Sequence, residues 1–182
     1  MIELTFALAG TAIVGLGVAG MLAATTYGTT SRHDMRELLV RGMMLNERVA
    51  EAVRASRQVL ASGEDYLVLW VATADAEDAP TLRGLLRIEL DTEAQALLAY
   101  AADEAATDET YQPSSDFANL TRQLIDDGQL VGERWGRAVA DWRIMVDDDG
   151  VAGVGRHVRW ELALHAATGT YTTSAAATRR SE

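Results

Sequence analysis

The chain of 182 residues contains no cysteine, so no disulfide stabilises it and no thiol chemistry is open to it. Lysine is also missing, and all sixteen basic residues are arginine. Histidine is scarce. His33 lies early in the chain, while His157 and His165 fall eight residues apart in one predicted strand. At about 3.3 Å per residue that separation is roughly 26 Å, too far to share a metal, so neither a zinc site nor a catalytic triad can be built on the pair. No serine sits in a Gly-x-Ser-x-Gly context. Gly153-Val154-Gly155 is half of a dinucleotide fingerprint that opens no helix, and reads as a turn. No nucleophile, base and orienting group converge. The expectation is a protein that is not an enzyme and uses no cofactor.

Charge is missing from one long stretch. Residues 4–31 carry none, and about 20 apolar residues suffice to cross a bilayer as a helix. Glu3 stands at the mouth of this run. A carboxylate beside hydrocarbon costs on the order of 2–4 kcal/mol, so it needs a partner and is a functional candidate. Within the run, Gly10 breaks the pattern, and Gly15/Ala19 and Gly20/Ala24 have the small-xxx-small spacing that lets helices approach closely in lipid. A secretory signal peptide is the rival reading, with Ala23-Ala24 as a cleavage site. The run is longer than a signal core, however, and an acid stands where a basic n-region belongs. Arg32, Arg36 and Arg41 follow the span, which taken alone favours a cytoplasmic C-terminal side.

The net charge of −11 is unevenly placed. Residues 31–65 carry six Arg and six acids, residues 131–182 seven of each, and residues 66–130 three Arg against thirteen acids. Nucleic acid is not expected as a partner of that middle region, because phosphate binding needs clustered cations.

The opening Ile2-Glu3-Leu4 followed by a continuous apolar run resembles the mature N-terminus of type IV pilins and type II secretion pseudopilins. The resemblance implies that Glu3 pairs with the amino terminus of a neighbouring subunit during filament assembly. It implies other pilin or pseudopilin subunits and the membrane as partners, with the head in the periplasm or in an envelope-spanning filament. The family's basic leader ending in Gly, and the Phe-Thr before Ile-Glu-Leu, are missing here. The expected start codon therefore lies upstream of Met1, with a prepilin peptidase as the processing partner. In outline the chain is similar to the minor, J-like pseudopilins.

Beyond the span, Met35, Leu38, Gly42, Leu45, Val49, Ala52, Ser56 and Val59 recur at three- and four-residue steps, with Arg and Glu on the other faces. This spacing predicts one helix over about residues 2–61, transmembrane over 1–30 and amphipathic over 31–61, stopped by Ser62-Gly63. Strands are predicted over 66–72, 85–90 and 96–100, the last two joined by a five-residue connection, then over 138–146, 156–164 and 171–174. A short helix over 116–125 has Asp116 as its N-cap, with Phe117, Leu120, Leu124 and Ile125 inward. Residues 75–80 and 103–115 read as loops. The expected fold is α+β and pilin-like, a long N-terminal helix packed on an antiparallel sheet spanning 66–175. Its domains are the membrane half at 1–30 and a soluble head at 31–182.

Asp147, Asp148 and Asp149 are the best metal candidate, since Ca²⁺ takes six to eight oxygens, but consecutive acids before Gly150 lack the alternate spacing of a calcium loop and read as a turn. Asp75, Glu77 and Asp78 have no distant ligand to close a site. Of the four tryptophans, Trp135 in Arg134-Trp135-Gly136 is the one marked for partner contact. The rival function from another class is a single-pass, membrane-anchored periplasmic binding domain whose acidic 66–130 region meets a cation or a basic partner.

Overall fold

The computed structural model describes residues 19–20, 34–71, 79–103, 106, 109–147, 157–166 and 169–179. The chain forms two compact units, Met1–Glu37 and Leu38–Glu182.

The expected α+β fold built on a long N-terminal helix is overturned. The described residues are mostly antiparallel sheet, 52% of them in strands, and their main helix is only about 22 residues long. This helix, α1 (residues 34–55), ends short of residue 61 because the chain switches directly into strand β1 (Ser56–Ser62). Ser56 Oγ donates to Val53 O at 2.8 Å, and from Ser56 onward β1 pairs antiparallel with β2 (Tyr66–Val71). Ser56 and Val59 are both buried, so they satisfy the helical spacing while standing in a strand. Pairing with β2 gives residues 56–62 backbone partners in a sheet, which outweighs the helical pattern. Among the described residues no helix is long and apolar enough to cross a membrane, so none supplies the expected single-pass anchor. The candidate span at 1–30 lies outside the described residues, except for Ala19 and Gly20, which are helical and exposed.

Strands β1, β2, β3 (Leu85–Asp91), β4 (Ala96–Ala102) and β5 (Leu130–Arg137) form one antiparallel sheet in chain order. Strands β6 (Val139–Asp147), β7 (His157–Ala166) and β8 (Gly169–Thr178) form a second. The pleat divides the larger sheet cleanly. Leu67, Leu69, Ile88 and Leu97 join a core with Leu45, Val49 and Val53 of α1 and Trp142, Trp160 and Leu164 of the smaller sheet. Val68, Leu85 and Leu130 face the other way, onto Phe117 and Leu124 of α2 (Phe117–Asp126). Asp116 caps α2 by accepting from Asn119 N, the arrangement its sequence predicts. On α1, Asn46 joins the helix to the second sheet: Trp160 Nε1 donates to its Oδ1 at 2.8 Å, and its Nδ2 donates to Thr173 Oγ1 at 3.1 Å.

Candidate functional site

The two faces of α1 differ in a way that bears on function. Leu38, Gly42, Leu45, Val49, Ala52 and Val53 are buried against the core. About 160° around the helix, Leu39, Val40, Met43 and Met44 stand exposed, at 37%, 56%, 69% and 59%. An ordinary surface helix is charged on that side. The later turns of α1 obey the rule, with Glu47, Arg48, Glu51 and Arg54 outward and an Arg54–Glu47 ion pair between two of them. The apolar outward face is confined to residues 39–44, with exposed Arg36 before it and exposed Glu47 after it.

Beside that face, α1 and β5 enclose a cleft of about 390 Å³. From α1 come Arg41, Met44, Leu45 and Arg48, and from β5 come Arg134, Trp135, Gly136 and Arg137. Strand alternation alone would send Trp135 away from Arg134 and Gly136. A bulge intervenes: Leu97 pairs with Gly136 and Leu98 with Arg134, which leaves Trp135 as the extra residue and bends the strand there. Gly136 is needed for the close approach, since a Cβ there would lie 2.6 Å from Leu45 Cδ1 and Cδ2. Arg48, Arg134 and Arg137 are exposed, and among the described residues they make no ion pair and no acid lines the cleft. Three such guanidiniums beside a half-buried indole, in a chain with an excess of acids, make a pocket for an anionic group.

A second cleft, of about 750 Å³, has the opposite character. Glu64, Asp65, Asp141 and Glu161 line it together with Arg143, which pairs with Asp141 at 3.0 Å. Among the described residues no group of three or more histidines or carboxylates comes close enough to hold a metal ion.

Few of the sequence-predicted site residues fall among the described ones. Glu3, Gly10, Gly15 and Ala24 lie outside the described residues, as do His33, Asp75, Glu77 and Asp78. Of the packing candidates, Ala19 and Gly20 are described, and none of the described residues lies within 4 Å of where a Gly20 Cβ would stand. Asp147 is engaged by Arg159 at 2.6 Å, while Asp148 and Asp149 lie outside the described residues. His157 and His165 occupy the two ends of β7, and each meets a threonine of β8. Sequence reasoning marked Trp135 but missed Arg48, Arg134 and Arg137 around it. The Arg134-Trp135-Gly136-Arg137 cluster is legible as a string, whereas its apposition to α1 follows only from the fold. Comparison with protein-family models, with curated proteins and with solved structures finds no match.

Proposed function

We propose that the chain is a non-enzymatic subunit of a type II secretion or type IV pilus-like filament, or of the tip complex that initiates one. The observation that carries this reading is the outward apolar face of α1. Four large apolar side chains on a short surface helix lose free energy to water unless another molecule covers them. They lie in the sequence shortly after the uncharged run 4–31 that follows Ile2-Glu3. In this reading the apolar N-terminal segment sits in the bacterial inner membrane or in the filament interior, with the head in the periplasm or the envelope-spanning filament. Glu3 neutralises the amino terminus of a neighbour, and other pilin or pseudopilin subunits pack along the segment and the exposed face of α1. An upstream leader would make a prepilin peptidase the processing partner.

The test is a Glu3→Leu variant followed into both the membrane fraction and the sheared filament fraction. The expected outcome is normal membrane insertion with assembly lost. Unchanged assembly would overturn the reading.

One observation favours a second reading, that of an anchored periplasmic binding domain: the carboxylate-lined cleft around Glu64, Asp65 and Glu161 is suited to a basic partner. Self-association separates the two, because an anchored binding domain remains single where a filament subunit cross-links to its neighbours.

A further inference from the structure

Two charged features sit at opposite ends of β5, and neither Arg48, Arg134 and Arg137 in the one nor Asp126 and Asp127 in the other make an ion pair among the described residues. At one end is the arginine cleft. At the other, Asp126 and Asp127 stand exposed where α2 finishes. The last turn of α2 holds no basic residue, so two carboxylates add to the negative end of the helix dipole. The helix is closed by Gly128 at φ +72°, with Gly128 N donating to Ile125 O and Gln129 N to Leu124 O. Like charges are thus gathered at each end of the strand. Leu130 to Arg137 separates them by about 23 Å at roughly 3.3 Å per residue, so they cannot meet within one molecule.

We infer that the cleft formed by Arg48, Arg134, Arg137 and Trp135 in one copy receives the Asp126-Asp127 corner of the next. Carboxylates match the fork geometry of guanidinium groups, and two adjacent acids can engage more than one arginine. Trp135 and Met44 wall the cleft with apolar surface, which strengthens the charge pairing by excluding water. Because knob and socket are different surfaces, the contact is heterologous and repeats head to tail instead of closing into a two-fold dimer. The inference rests on the filament reading for its partner, a second copy, and supplies the contact between heads which that reading lacks.

The absence of native cysteine makes the test clean. Full-length chains carrying Asp127→Cys and Arg137→Cys are co-expressed and oxidised in their membranes, with a Leu16→Cys chain oxidised in parallel to report contact through the N-terminal segment. The expected result is a mixed disulfide dimer that neither head variant forms alone. Adding Arg134→Glu to the socket chain lowers its yield by about tenfold, and adding Asp126→Arg to the knob chain restores it. A Leu16→Cys cross-link without the mixed dimer overturns the contact and leaves the filament reading standing. Loss of both overturns both. Binding of the native chain to phosphatidylglycerol vesicles that Arg134→Glu abolishes, with no mixed dimer, overturns the contact in favour of a lipid headgroup.

Discussion

Arg87 Nη1 donates to Thr121 Oγ1 at 2.9 Å, fastening β3 to α2 through a guanidinium that is 1% exposed. The same nitrogen donates to Ala118 O at 3.1 Å, and Nε pairs with Glu89 at 2.6 Å. Tyr66 covers the group, its ring centroid 4.5 Å from Arg87 Cζ. A buried charge this fully partnered becomes costly when one side is removed. Arg87→Met is expected to destabilise the head by about 3 kcal/mol, because it takes the cation from Glu89 and a donor from Ala118 O, leaving Thr121 Oγ1 with its bond to Phe117 O. Arg87→Lys, which keeps the charge and loses the fork, should fall between the two. Urea unfolding followed by tryptophan fluorescence reads both values, and a loss below about 0.5 kcal/mol for Arg87→Met would contradict the assignment.

Trp142 and Trp160 offer an internal control. Each is 1% exposed, but Trp160 Nε1 donates to Asn46, whereas Trp142 Nε1 makes no hydrogen bond among the described residues. Replacing each by Phe removes similar volume and one N–H. Trp160→Phe strands the Asn46 acceptor, so it should cost about 1–2 kcal/mol more than Trp142→Phe. Equal losses in the same unfolding assay would show that the Asn46 bond contributes nothing.

Gly136→Ala tests the close approach of β5 to α1. The added methyl would meet Leu45 at 2.6 Å, inside any normal contact. Relief requires Leu45 or the strand to move, at a cost of about 1–3 kcal/mol. Gly128→Ala is destabilised for another reason, its positive φ, although nothing lies within 4 Å of its Cβ position. Only Gly136→Ala should therefore alter the arginine cleft, read as quenching of Trp135 fluorescence by iodide.

Tyr100 supplies a pH dependence. Burial holds its phenol above the ordinary value of 10.0, and the carboxylates of Glu89 and then Asp91 add to the effect. The folded state thus binds this proton more tightly than the unfolded chain. Its contribution to stability is complete below about pH 10 and is lost as pH rises through the folded value. Tyr100→Phe should flatten the fall in melting temperature above that pH. An identical alkaline slope in the variant would rule the group out.

Much of the sheet is legible in the sequence. The alternation of Leu86, Ile88 and Leu90 against Arg87 and Glu89 gives β3 its two faces, and the same pattern places Ile88 in one core and Arg87 under α2. Asp116 and the inward residues of α2 are equally readable, since caps and amphipathic spacing are local. The two strands that were missed fail for physical reasons. In β1, Ser56 and Val59 continue a helical stripe, and only pairing with β2 decides between the two states. In β5, the bulge at Trp135 and the exposed Val131, Glu133 and Arg134 erase the period-two signal. The arginine cleft depends on that bulge and on a helix some ninety residues earlier in the chain, which no local pattern encodes.

The most direct measurement is cross-linking at the outward face of α1. A Met43→Cys chain, the only thiol in an otherwise cysteine-free protein, is treated with a short bis-maleimide in its native membranes, with and without Glu3→Leu. The filament account predicts a cross-linked dimer that reverts to monomer in the Glu3→Leu background. Monomer alone in both backgrounds, with Met43→Cys fully labelled, would contradict it.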